Sequence, residues 1–531
     1  MKKTIILLSS ILLIITTLYS KQADKKETTT TSFFDLYDHN RKEQIPNYIS
    51  LDFILTANYL FKQQSITQLE KSLLYPKFKR FAVGLRANLL KGYKPEQKEA
   101  LAYVLVLNEL LGNHNANVPP KALALAKKEL ALIGKRQGIL NSPIAKVRLD
   151  YTQYKVRGKY TKSSELKSYF LALKYMSYMP FMVNAHGATG VTPMVVKEQM
   201  RNAQYIATAL KPLIKEYRSI EQYLQRLSGK GDDLAIALLV KHHKDIGKYL
   251  NGLNRFPKIS ERIIDTTKIK KQDIAKASLA LKLLPSRFTP DSYIFSQLTY
   301  PNVGVLTGKA DRLTSRIDGK MVRGYPTIMD LSAILVGKFP KEKNYKGYEK
   351  QIRALKSKIG NEKSIYGYDF KIYNRLLQDN KINSFKGYYT QSRYILNLYQ
   401  KQSYTGGLKS IFIDERKKAF LEPNIGAILD LIIAQDRLLP NHKSFISILE
   451  HLKVLDKKHN NFKPNDVVFL NNLDSKFKSL LEDKDSPIEV DIHTNPVKRK
   501  VMYEVLGEPF IRDMQGFRGA FYNHAEIIKN R

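Results

Sequence analysis

The 531-residue chain contains no cysteine and no tryptophan. The first absence excludes disulfides, thiolate metal centres, cysteine nucleophiles and a lipid-modified N-terminal cysteine. The second leaves tyrosine, phenylalanine and histidine as the rings on which a sugar or base can stack, with 32 Tyr and 23 Phe present. Acidic residues are scarce: 49 Asp and Glu stand against 88 Lys and Arg, a formal net charge of +39. No G-x-S-x-G elbow, Walker phosphate loop or H-E-x-x-H zinc helix occurs in the sequence. The adjacent His242 and His243 point two ways on a helix and make a poor ligand pair. No metal ligand set and no cofactor is assigned. Beyond the N-terminus no apolar run reaches the roughly 20 residues a spanning helix needs.

At 43% apolar and 26% charged residues the composition is that of a folding chain with a large core. Lys2 and Lys3 precede an apolar run over residues 5–18, broken only by Ser and Thr, and Ser20 and Lys21 follow. A basic start, a short apolar stretch and a small residue at its end read as a secretory signal, with cleavage near Ser20. The alternative is an uncleaved anchor, which the shortness of the run disfavours. The expected product is exported, periplasmic or extracellular, with no transmembrane span in the mature chain.

The basic excess is mostly Lys and is spread along the chain, in small groups such as 268–271, 341–343 and 498–500. A nucleic-acid reader concentrates charge on one face and places Arg at base edges. The spread predicts salt-screened attraction to anionic envelope polymers or glycans and no specific nucleic-acid partner.

Residues 21–32 are polar and end in a Thr run, reading as a flexible leader. Helical periodicity dominates from about residue 33. Leu123, Ala126, Leu130 and Ile133 fall on one helical face, as do Ile425, Ile428, Leu429 and Ile432. Ile274, Ala277, Ser278, Leu281 and Leu284 fit the same template, and 101–111 is apolar nearly all round, as in a buried helix. Residues 185–193 and 299–326 read as loops, the second long enough to be functional or mobile. Over 487–523 the period changes to two, as in Ile488, Val490 and Ile492, which predicts a small antiparallel sheet. The expected fold is therefore mainly α. A large helical body at 33–486, toroid-like by analogy, carries a small C-terminal β segment at 487–531 packed on it.

Three constellations carry chemistry. Asp491 and His493 share a face of a predicted strand and suit a cation or an oriented general base, against the alternative of an Asn-Pro turn. Asp233 follows Asp232 at a predicted helix start, where a capping carboxylate explains it as fully as ligand binding does. Arg287 and Asp291 flank Pro290, which predicts a helix entry with Asp291 in the first turn and Arg287 folding back to pair with it. Tyr293 completes that segment, the predicted polar floor of a pocket.

Several of these pieces together resemble a bacterial family, domain of unknown function 3160. The pieces run in family order. They are residues 34–37 and 45–52 (FDLY, IPNYISLD), 229–234, 287–300 (RFTPDSYIFSQLTY), 399–405, 421–424 and 491–494. The likeness implies an exported, mostly helical, often envelope-attached protein and brings no established activity. Where the family pattern has His after its first Asp, this chain has Thr56, Ala57, Asn58 and Tyr59. Of a family Arg-His-Asp-Thr run only Arg393 is kept, and the last Asp of its Asp-x-His-Thr-Asp motif is Asn495. A family site built on those groups is weakened here. The favoured expectation is an envelope-facing binding or structural protein. The rival is an envelope hydrolase using Asp291, Asp491 or His493 as acid, base or cation ligand, with Arg287, Tyr293 and Asp233 as binding groups.

Overall fold

The computed structural model describes residues 49–480. It leaves out 50, 187–189, 230, 232–233, 243–278, 288, 312, 318, 341–342, 361–365, 393–420, 422–423, 438, 440–441, 460, 474–475 and 478–479. The fold is mainly α, with three small sheets among the described residues. The chain divides into two compact units, one formed by residues 67–293 and 362–368, the other by the remainder.

Helix α1 (Leu51–Leu69) runs through a π-helical turn, Glu70–Leu74, into α2 (Tyr75–Leu90). The first unit continues with α3 (Lys98–Leu110), α4 (Pro120–Lys135), α5 (Ser164–Tyr178), α6 (Pro193–Leu210), α7 (Ile214–Ser228) and α8 (Ala237–His242). Their starts follow elementary capping. The Ser163 hydroxyl accepts the Leu166 N–H ahead of α5, and Thr192 does the same for Val195 ahead of α6, whose first residue is Pro193. Helix α3 is the centre of this unit: every side chain from Leu101 to Leu107 is fully buried, as the apolar run predicts. Of the face read on α4, Ala126 and Ile133 are buried.

Strands β1 (Ile139–Asn141) and β2 (Arg148–Asp150) form a hairpin that docks on α4. The fully buried Glu129 of α4 receives Ser142 Oγ at 2.6 Å and Tyr151 OH at 2.6 Å, one from each arm of the hairpin. Ser142 Oγ in turn accepts the Ala145 N–H at 2.9 Å, so one carboxyl organises a whole turn. Burial pushes the Glu129 carboxyl above its ordinary range, against the opposing hydrogen bonds from Ser142, Tyr151 and Ile144.

Tyrosines fill much of the surrounding core. Tyr103 and Tyr175 have ring centres 4.8 Å apart, Tyr151 and Tyr154 6.0 Å, and Tyr154 and Tyr178 6.1 Å. The hydroxyls of Tyr103, Tyr154, Tyr169, Tyr175 and Tyr217 are buried and make no hydrogen bond among the described residues.

A three-stranded sheet closes the unit: β5 (Ala280–Lys282) lies between β3 (Phe181–Met182), antiparallel to it, and β4 (Leu234–Ala235), parallel. This corrects the helical reading of 274–284. Residues 280–282 are a buried strand paired on both sides, and a run this short shows no period of its own. Residues 274–278 lie outside the described residues. It also corrects the helix expected to open at residue 231. Gly231 forms an isolated bridge, β4 follows, and the helix begins at Ala237.

Helix α9 (Pro290–Gln297) begins at the proline that predicts it, and the first unit's long segment ends within it, at Tyr293. In the second unit the expected loop at 299–326 holds a hairpin, β6 (Thr314–Ile317) with β7 (Lys320–Arg323), turning at Gly319 with φ 73°. Helices α10 (Met329–Leu335), α11 (Tyr348–Leu355), α12 (Tyr368–Gln378), α13 (Ile382–Ser392), α14 (Gly426–Asp436), α15 (His442–Asp456) and α16 (Pro464–Asn471) follow. On α14 Ile428, Leu429 and Ile432 are buried, the face the spacing predicts.

Arg323, at the end of β7, has no exposed surface. It grips Asp330 of α10 through both carboxylate oxygens at 2.9 and 3.0 Å and donates to the Leu298 carbonyl at 2.5 Å. Tyr348 OH donates to the same carboxylate at 2.5 Å, and the Thr327 N–H donates to it at 3.0 Å. This cluster ties hairpin, α10 and α11 together. The antiparallel strands expected at 487–523 lie outside the described residues. No helix among the described residues is long and apolar enough to cross a membrane.

Candidate functional site

Two segments about fifty residues apart in sequence meet in the first unit. Gly231 and Arg287 form an antiparallel bridge next to the three-stranded sheet. Two glycines make the approach feasible. Gly229 ends α7 at φ 81°, its N–H returned to the Gln225 carbonyl at 2.9 Å, a conformation that disfavours any side chain. Gly231 has no room for one, because an added Cβ would lie 2.5 Å from Cβ of Pro285.

The bridge fixes the backbone of Arg287 and sends its guanidinium into a polar seam. Arg287 is partly buried, and its Nη2 is buried without a hydrogen-bond partner among the described residues. Three groups act on its charge: Glu221 and Tyr217 of α7, and Tyr169 of α5. Tyr217 and Glu221 are four residues apart and so share one face of α7. The Tyr169 and Tyr217 rings rest on successive turns of α2, with centres 5.1 Å from Phe78 and 6.3 Å from Phe81. Both tyrosines are at most 1% exposed and have unpartnered hydroxyls. Burial lowers the Arg287 pKa, with Glu221 opposing, and pushes both tyrosines upward, with Arg287 opposing.

The seam continues past Tyr169 to the π turn between α1 and α2. There Glu70 is buried, accepts from Tyr160 OH at 3.1 Å and pairs with Lys159 at 2.6 Å. Its carboxyl is raised by burial, with Lys159 and Tyr160 opposing. Single π turns inside helices recur at functional positions because the extra residue re-aims a side chain into the interior.

Asp291 stands in the first turn of α9, fully buried, its Oδ1 accepting the Ser292 N–H at 3.0 Å. Tyr293 is buried in the core, and burial raises its hydroxyl pKa. Asp233, Asp491 and His493 lie outside the described residues. Glu70, Tyr169, Tyr217 and Glu221 escaped the sequence reading. The Tyr217–Glu221 spacing on an amphipathic helix was the available signal.

Two other polar places belong to the second unit. Lys62 of α1 pairs with Asp369 of α12, which also accepts from Tyr388 OH at 3.1 Å, and Asn58 donates to that hydroxyl at 3.2 Å. Burial and the Asp369 charge hold the Tyr59 hydroxyl up at about 12. A shallow groove of about 940 Å³ runs along α15 and α16 past Lys443, His451, Asn465 and Phe469. His451 already stacks on Phe469 at 3.9 Å, with Lys476 5.6 Å from the same ring. Among the described residues no three His, Asp or Glu side chains gather as metal ligands.

The two segments joined at the Gly231–Arg287 bridge are among those that carry the likeness in sequence. The family model described as Protein of unknown function (DUF3160) matches residues 13–511. No curated protein and no solved structure matches the chain. The match spans nearly the whole length, so this chain belongs to the DUF3160 family.

Proposed function

We propose that this is an exported, envelope-facing binding protein, and that the seam at Arg287 receives an anionic group, a carboxylate or a phosphate, of its ligand. The observation that carries the reading is the buried Nη2 of Arg287, unpartnered among the described residues, in a guanidinium within electrostatic range of two tyrosines whose buried hydroxyls are unpartnered as well. A buried donor without an acceptor costs about 1–3 kcal/mol, so an anion that accepts from Arg287 would recover that cost. Export rests on the N-terminal sequence, and weaker, salt-screened attraction to anionic envelope polymers or glycans rests on the charge of +39. A toroid-like arrangement of the helices and a β segment at 487–531 belong to the same proposal, for small-angle scattering and NMR to check.

The test is a thermal-shift titration of the mature protein with inorganic phosphate and with acetate. A ligand at a hundred times its Kd stabilises by about 2.7 kcal/mol. A rise in Tm that saturates in wild type and vanishes in Arg287→Gln, with the variant still folded by circular dichroism, is the expected result. Equal responses in the two proteins, or no response to either anion, would overturn the reading.

A further inference from the structure

We propose that the groove along α15 and α16 binds a short run of an acidic glycan, with the sugar carboxylates on Lys443 and Lys476. The site is separate from the Arg287 seam. It rests on the envelope-facing reading above and gives the attraction to anionic glycans a defined place in the second unit.

The groove follows from spacing. Lys443, Ser447 and His451 recur every fourth residue of α15 and so share one face. Asn465, Phe469 and Asn472, spaced by four and three, do the same on α16 and its C-cap. The two faces meet where the His451 and Phe469 rings stack within 11° of parallel, centres 3.9 Å apart. Phe445 and Phe477, both fully buried with ring centres 5.4 Å apart, hold α15 against the chain that follows α16. The space left between these segments is about 940 Å³. From Lys443 to His451 it extends about 12 Å at 1.5 Å per helical residue, the length of a few linked rings rather than of one ion.

Three kinds of surface line it. Lys443 and Lys476 are exposed and supply positive charge, and Lys476 Nζ stands 5.6 Å from the Phe469 ring centre. None of the described residues that line the groove is acidic. The acids on the same helices are already engaged. Glu450 pairs with Arg437 at 3.3 Å, and Asp466, whose charge reaches His451, pairs with Lys458 at 2.7 Å. Ser444, Ser447 and Asn465 add neutral donors and acceptors, and Val468, 52% exposed, adds apolar surface beside Phe469. An acidic sugar chain carries the complement of all three, in its carboxylates, hydroxyls and apolar C–H faces. A neutral glycan leaves the lysines unused, and an acidic peptide brings no array of hydroxyls to Ser447 and Asn465. No Arg lines the groove to fork onto the phosphates of a nucleic acid.

The experiment is isothermal titration calorimetry of the full mature chain at low ionic strength with trigalacturonate, maltotriose and triglutamate. Trigalacturonate should bind wild type more tightly than either of the others by about tenfold or more. Lys443→Gln and Lys476→Gln made together should lose about that factor, and Val468→Glu, a charge placed at an exposed position of the groove, should abolish binding. Lys127→Gln and Lys128→Gln made together, on the exposed face of α4, should change it by less than about twofold. Equal losses in the two lysine pairs would mean diffuse attraction and overturn the groove. Maltotriose or triglutamate binding as tightly as trigalacturonate would overturn the acidic glycan, and no binding of trigalacturonate would overturn the whole proposal. Arg287→Gln should leave the trigalacturonate affinity unchanged, so the groove and the anion seam fail separately.

Discussion

Replacing Glu129 with alanine should destabilise the first unit by about 3–5 kcal/mol. The figure follows from what the carboxyl does. It accepts two hydroxyls at 2.6 Å, Ser142 and Tyr151, in a site with no solvent exposure. Alanine leaves both hydroxyls without their acceptor, at about 1–3 kcal/mol each, and adds a cavity. Relief from burying an acid offsets part of this. A loss of that size lowers Tm by roughly 6–20 °C for a unit of this length. Glu129→Gln separates the acid from the network. Its amide nitrogen can donate to Tyr151 OH, which can accept, while its oxygen still receives Ser142. The pH dependence has a definite sign. The folded-state pKa is raised above the ordinary 4.5, so the unfolded chain releases this proton first as pH rises. Wild type therefore loses stability from about pH 4.5 upward until the folded pKa is passed, and the glutamine variant loses none through this group. Urea melts followed by circular dichroism between pH 4.5 and 8 should show the glutamine variant gaining on wild type with pH. Parallel curves, or an alanine variant within 1 kcal/mol of wild type, would refute the argument.

Asp330→Asn removes the charge that balances the fully buried Arg323 and should cost about 3–5 kcal/mol, read from urea melts. Gly231→Ala drives a Cβ to 2.5 Å from Pro285, a rigid ring, and should cost about 1–3 kcal/mol and weaken any ligand response that depends on Arg287. Mass determination of the protein from its native envelope should place the mature N-terminus at or near Lys21, and an intact Met1 there would contradict export with cleavage.

The sequence was most legible where one periodicity ran without competition. The run at 101–111 has apolar residues on all sides and became the buried α3, and Pro290 set the start of α9 where an N1 proline belongs. Residues 280–282 were misread because three residues carry no period of their own, and only pairing with β3 and β4 decides the matter. The β6–β7 hairpin was hidden inside a Gly-rich stretch, although Asp-Gly between two short runs is a strong two-residue turn signal. Ala122, Ala126, Glu129 and Ile133 occupy one buried stripe of α4, so an acid within an apolar stripe announced the Glu129 network. The seam could not be read so directly. Tyr169, Tyr217 and Glu221 act on the Arg287 charge from distant parts of the chain, and no local spacing encodes an encounter across that much sequence.

The tyrosine-filled core has an optical consequence. With no tryptophan in the chain, near-ultraviolet absorbance belongs to tyrosine alone, apart from a weak phenylalanine band. Burial raises Tyr154, Tyr169 and Tyr175 well above the ordinary value of 10.0, and Tyr103 and Tyr217 upward as well. An unfolded chain ionises these phenols near pH 10, whereas the folded one holds their protons, so alkali draws the equilibrium toward unfolding. Phenolate absorbance on an alkaline titration should thus rise in two stages. Surface tyrosines ionise gradually and reversibly first. A steep, cooperative step follows, in which the interior phenols appear together, coincident with loss of helical ellipticity.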